Sequence, residues 1–167
     1  MKTSFMKSII VVLLALISKG GFAQAPPNFD IIKLERTSDY KAADPFALQT
    51  ANYLLLTPFK NDNPDRIKSL QFIFKWMRGT PDYSFPLDES IRKLLKDNND
   101  LIGLYLAALV KYCLENKETS KNAKVARLNG MTLLLNYCEN KDNNIRPTKS
   151  LKKLSDAKAK GELEQLL

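Results

Sequence analysis

The chain has 167 residues, with 26 Lys and Arg against 18 Asp and Glu for a formal net charge of +8, no histidine and 2 cysteines. The missing histidine excludes Ser-His-Asp and Cys-His catalysis and every His-containing zinc or iron site, and two cysteines cannot build a four-thiolate centre. Apart from the Gly20-Gly21 pair the glycines are isolated, so no loop wraps phosphates as a P-loop or dinucleotide fingerprint does.

The chain opens with Lys2 and Lys7, an uncharged apolar stretch from Ile9 to Ile17, and small residues at Gly20, Gly21 and Ala23. This is the three-part layout of a secretory signal. The apolar run is roughly half of the about 20 residues that a spanning helix needs, so cleavage is expected rather than anchoring. Cutting after Ala25 would set Pro26 beside the scissile bond, where its ring hinders an extended substrate. The cut is therefore placed before Gln24, making residues 1–23 a signal peptide. No cysteine lies near that junction to take a lipid. The expected product is a soluble periplasmic or extracellular chain without a transmembrane segment, of a size for one domain. Losing Lys2, Lys7 and Lys19 lowers the net charge from +8 to +5. Much of what remains sits near the C-terminus, where Arg146, Lys149, Lys152, Lys153, Lys158 and Lys160 face Asp156 alone between Ile145 and Lys160.

Residues 24–43 open with Pro26-Pro27 and read as an extended leader; Ile31 to Tyr40 is compatible with a short strand or a helical turn. The helical domain spans 44–167. Its first helix starts at Asp44-Pro45, a capping acid followed by proline at the first helical position, carries Ala47, Leu48, Ala51, Leu54 and Leu55 on one face, and stops at Thr57-Pro58. The second starts at Asn63-Pro64, has the stripe Ile67, Leu70, Ile73, Phe74 and Met77, and stops at Gly79. The short link between them makes the pair antiparallel. A turn-rich segment from Gly79 to Pro86 leads to a third helix with Ile91, Leu94 and Leu95. The fourth starts at Asp100, and because Leu101 to Val110 contains no charge it is expected to be the central core helix. A fifth, capped by Ser120, carries Ala123, Ala126, Gly130, Leu133, Leu134 and Tyr137. A sixth spans Thr148 to Leu167 with Gly161 as a weak point. No strand alternation follows Tyr40. The fold class expected is an all-α, single-domain bundle of five or six helices, arranged as stacked antiparallel hairpins. The likeness between Leu109–Lys117 and Leu134–Lys141 is read as two helices that end alike, since its period near 25 is too short for a helical-hairpin repeat.

Chemistry is sparse. Asp88-Glu89 and Asp97/Asp100 are the candidate carboxylate pairs, but both sit at helix starts, where acids cap orphaned N–H groups and oppose the helix dipole. No catalytic, metal-binding or cofactor-binding residue is assigned. In an antiparallel hairpin Cys138 would lie about 27 Å along its helix from the turn near Cys113, against Cα separations of about 4.4 to 6.8 Å in disulfides, so two buried, unpaired thiols are expected. The densest aromatic segment is Phe72, Phe74, Trp76, Tyr83 and Phe85. It reads either as a satellite core or as a partner-binding platform with Trp76, Tyr83 and Phe85 as contacts; the core reading is favoured because Phe74 lies on the buried stripe and Trp76 off it. The basic C-terminal helix offers Lys149, Lys152 and Lys153 to an anionic partner, although a solvated helix face is the simpler account. It lacks interleaved aromatics, and export argues against nucleic acid.

The segments Thr50–Pro58, Lys75–Phe85 and Lys153–Ala157 resemble those of uncharacterised secreted helical proteins of Bacteroidetes, over most of the chain from Arg36 onward. The resemblance implies a bacterial source and an envelope home, and carries no activity or site residue. The functional expectation is a non-catalytic protein-interaction or accessory module of the cell envelope, partnered by another envelope protein. The alternatives are a carboxylate-dependent hydrolase or lyase of envelope polymers, and an anionic-polymer binder working through the C-terminal helix.

Overall fold

The computed structural model describes residues 25–85, 87–96 and 100–167; the signal-peptide reading of residues 1–23 and the candidate Asp97 lie outside them. The described residues form seven α-helices and no strand: α1 Thr37–Ala42, α2 Asp44–Leu56, α3 Pro64–Gly79, α4 Glu89–Leu95, α5 Asp100–Glu115, α6 Ala123–Glu139 and α7 Lys149–Ala159. The single-domain all-helical bundle is therefore the architecture.

The charge-free stretch dictates the arrangement. From Leu101 to Val110 every residue of α5 except Ile102 is buried, and α5 packs chiefly against α2 and α6. One side of α5 (Leu101, Leu104, Leu109, Cys113) joins α4, α6 and α7 in one apolar cluster. The other side (Ala107, Val110, Leu114) joins α2, α3 and the N-terminal segment in a second. Glycine sets the closest approach. A Cβ on Gly130 of α6 would sit 2.7 Å from Leu109 Cδ2, and one on Gly103 would sit 2.9 Å from Leu70 Cδ2.

Several local expectations are corrected. Residues 24–43 are not extended throughout: Phe29–Ile31 forms a 3-10 turn and α1 follows, capped by the Asp39 carboxylate, which accepts from the Arg36 and Glu35 N–H groups at 2.9 and 3.1 Å. Leu34 is buried in the second cluster, so this segment belongs to the core. Asp44 does not cap α2 but is its first residue, because α1 runs into α2 through a single joint, Ala43. The cap of α6 is Asn122, whose side chain accepts from the Lys124 and Val125 N–H groups; Ser120 Oγ instead donates to the Lys117 carbonyl. The last helix stops at Ala159 because Gly161 adopts φ +73°, and the Gly161 and Glu162 N–H groups donate to the Lys158 and Ala157 carbonyls, a Schellman termination.

The buried face of α3 is rotated from the expected stripe. It comprises Arg66, Ser69, Phe72, Ile73 and Trp76, while Ile67 and Phe74 are 46% and 39% exposed. Two apolar stripes overlap on this helix. The choice between them goes with polar groups, since the buried Arg66 turns Nη1 to carbonyls at the end of α2, while its Nη2 has no partner among the described residues. Its Nη1 donates to Leu54 O at 3.1 Å, Thr57 O at 3.3 Å and Thr57 Oγ1 at 3.0 Å. The positive charge also offsets the negative end of the α2 dipole.

The α5/α6 crossing supplies a test. Gly130→Val is expected to lower stability by about 1–3 kcal/mol, because its branched side chain overpacks against the fully buried Leu109. Urea unfolding followed by far-ultraviolet circular dichroism measures it; an unchanged midpoint would mean that the two helices do not meet at this glycine.

Candidate functional site

The aromatic segment folds inward. Trp76 is fully buried and its Nε1 donates to the Tyr40 carbonyl at 3.0 Å, while Tyr40 Oη donates to the Leu34 carbonyl at 3.3 Å. The rings of Tyr83 and Phe85 each lie 5.8 Å from that of Trp76, and both are half-buried. This corrects Trp76 as an exposed contact. An indole whose N–H finds a carbonyl inside the fold contributes its full apolar surface to the core, and Tyr83 and Phe85 form the lid over it.

The anticipated carboxylates have structural roles. Asp88 caps α4 by accepting from the Ile91 N–H at 3.1 Å and the Ser90 hydroxyl at 2.6 Å, and it pairs with Arg127 of α6. The Ser90 hydroxyl, the Ile91 N–H and Arg127 hold its carboxyl below the ordinary range. Asp100 opens α5. A different acid is perturbed upward: Asp44 has a buried Oδ1 without a partner. Burial raises its pKa and Asp82 adds to the rise, while Lys117, Lys41 and the Trp76 indole oppose it. Tyr83 is pushed up to about 12 by burial, with Asp44 and Asp82 adding. Sequence reasoning took Asp44 only for a cap, because the neighbours that perturb it, Trp76, Asp82 and Lys117, are distant in the chain.

Cys113 and Cys138 are free thiols. Burial pushes them up to about 11 and about 12, so both are protonated at neutral pH and neither is an activated nucleophile. Among the described residues no group of three or more Cys, Asp or Glu side chains could hold a metal ion, and no helix is long and apolar enough to cross a membrane.

What the molecule does present outward is charge. α7 is capped by Thr148, whose Oγ1 accepts from the Leu151 N–H at 3.1 Å. Leu151, Leu154 and Ala157 face the bundle, and Lys149, Lys152, Lys153, Asp156 and Lys160, three or four residues apart, face solvent. Lys158 is turned aside to Glu139 and Asn136, at 2.6 Å from each. Among the described residues Arg146, Lys149, Lys152, Lys153 and Lys160 form no ion pair. Two open clefts flank this ridge and share Lys149. One, of about 880 Å³, lies at the head of α7 between the α2–α3 loop and the Asn144–Thr148 segment. The other, of about 440 Å³, lies between Lys152, Lys153 and Lys160 and the terminal Glu162 and Leu166.

The structure thus brings the three candidate lysines together on one face and adds Arg146, Phe59, Asn61 and Asn144 beside them. These additions are loop residues without periodic signal. Asn144 alone carries a hint, since asparagine suits the left-handed conformation, φ 54°, in which it turns the chain toward α7. Comparison with known proteins adds nothing to this geometry, for no family model, curated protein or solved structure matches the chain.

Asp44 gives a pH signature. Its folded pKa is raised, so the stability it contributes is complete below the ordinary carboxyl pKa and is lost as pH rises through the folded value. Asp44→Asn removes that loss. The melting temperature of the variant relative to the parent should therefore move in the variant's favour from about pH 3 to about pH 7. A difference that stays constant or moves the other way would contradict a carboxyl penalised by burial.

Proposed function

We propose that the chain is an exported, non-catalytic binding module of the bacterial cell envelope that takes an anionic partner on the outer face of α7. The observation that carries this reading is the set of five cations, Arg146, Lys149, Lys152, Lys153 and Lys160, exposed along two adjoining clefts with no carboxylate paired to any of them among the described residues. Burial of Trp76 weighs against the aromatic turn as the contact surface. The carboxylate-hydrolase alternative requires two acids facing each other across about 5 to 10 Å, whereas Asp88 is engaged by a cap and Arg127. The resemblance to secreted Bacteroidetes proteins and the layout of the first 23 residues support the envelope location, and the mass of the exported protein should correspond to a chain beginning at Gln24.

Capture on immobilised polyglutamate tests the binding face. The mature chain should bind at low ionic strength and release as salt shortens the screening length toward about 8 Å. A Lys149→Gln/Lys152→Gln/Lys153→Gln variant, altered only at exposed positions, should lose about tenfold or more in affinity, ~1.4 kcal/mol. Equal binding by parent and variant, or binding indifferent to salt, would refute the assignment.

A further inference from the structure

The larger cleft holds more than charge. At one side is the Phe59 ring, fixed from beneath by the Arg66 guanidinium 5.1 Å from its centroid and along the backbone by its N–H, which donates to the Asn143 carbonyl at 3.2 Å. Arg66 is only 3% exposed and is itself held by the α2 carbonyls, and Asn143 is anchored through Nδ2 to the Tyr137 carbonyl at 2.8 Å. The ring thus rests on a buried side chain and a backbone tied to the core.

Uncharged hydrogen-bonding groups surround it. Asn61 is exposed and makes no side-chain hydrogen bond among the described residues. Asn144 donates from Nδ2 to the Asp142 carbonyl at 3.2 Å, which leaves its side-chain oxygen as an acceptor. Thr148 accepts at Oγ1 from the backbone and keeps its own proton to donate. Arg146 and Lys149 supply the cations, and Asp100 places a carboxylate in the same wall. Ring, amides, hydroxyl and two cations together match a molecule with an apolar face, several hydroxyls and an acidic substituent.

We infer that this cleft is a subsite for an anionic sugar, a pyranose bearing a carboxylate or sulfate, whose polymer continues along the α7 cations; the inference rests on the anionic-partner reading above. The pyranose C–H face would lie on Phe59, its hydroxyls on Asn61, Asn144 and Thr148, and its acidic group on Arg146 and Lys149. The volume of about 880 Å³ falls within the range of small-molecule sites, roughly 300–1,000 Å³. A flat anionic membrane fits less well, because the exposed large apolar residues Ile31, Leu56, Ile67 and Phe74 line neither cleft.

Calorimetric titration of the mature chain decides it, with oligogalacturonate and a heparin-derived oligosaccharide as anionic sugars, maltohexaose as the neutral sugar and polyglutamate as the anion without a ring. At least one anionic sugar should bind about tenfold more tightly than polyglutamate, and maltohexaose should be far weaker. Asn61→Ala and Phe59→Leu should each weaken the anionic sugar by about threefold or more while leaving polyglutamate unchanged, which separates lost recognition from lost folding. If polyglutamate binds as tightly as both anionic sugars, or if neither substitution affects sugar binding, the sugar subsite is wrong and the anionic face stands. If no anionic probe binds at all, both fall.

Discussion

A helix with almost no solvent-tolerant side has to be covered from every direction, and α5 is that helix. Leu101, Leu104, Leu106, Leu109 and Val110 are buried on opposite sides of it, each worth roughly 1.5–3 kcal/mol when removed from water. The remaining helices are placed by this requirement. α2 and α3 cover one side, α6 with α4 and α7 the other, and the core falls into two clusters on opposite sides of α5, bridged as well by Met77, Tyr83 and Phe85. Small residues decide how close the cover comes: Gly103 and Gly130 leave room for Leu70 and Leu109 to reach the facing backbone.

Burying this much helix also buries backbone ends, and a few polar side chains take up those groups. Arg66 satisfies carbonyls at the end of α2, where Tyr137 Oη adds a hydrogen bond to Thr57 O at 2.8 Å. At the N-terminal side the Trp76 indole N–H finds its own acceptor in the Tyr40 carbonyl, which also takes the Ala43 N–H at 3.1 Å. Unpaired groups of this kind would cost about 1–3 kcal/mol each. The two residues thereby tie the ends of α1 and α2 to one face of α3, and that tie sets the rotation of α3. Through Phe59, resting on Arg66, it also shapes one wall of the cleft at the head of α7.

α3 and α7 use their side chains in opposite ways. In α3 the aromatic side chains are consumed by packing. α7 is attached by a narrow apolar line, Leu151, Leu154 and Ala157, with Leu163 following in the terminal turn. A helix held by so few contacts leaves the rest of its circumference free, and that circumference is basic. One lysine, Lys158, is drawn into a pair with Glu139 of α6 and fixes the helix against its neighbour. Lys149, Lys152, Lys153 and Lys160 stay exposed, with no ion pair among the described residues.

The all-helical class, the buried centre at Leu101 to Val110 and the starts of the helices at Asn63-Pro64, Asp88 and Thr148 are determined by sequence alone, because capping chemistry and an uncharged run act within a few residues of themselves. The basic face of α7 is legible for the same reason, since residues three or four apart on a helix share a side whatever surrounds it. Only the tertiary structure decided which of two overlapping stripes on α3 turned inward, that residues 29–43 joined the core, that one carboxylate oxygen of Asp44 was buried, and that Phe59, Asn61 and Asn144 came to stand beside Arg146. Each of those outcomes depends on a contact between residues far apart in the chain, such as Trp76 with Tyr40, Arg66 with Leu54 or Phe59 with Asn143, and local periodicity carries no record of such contacts.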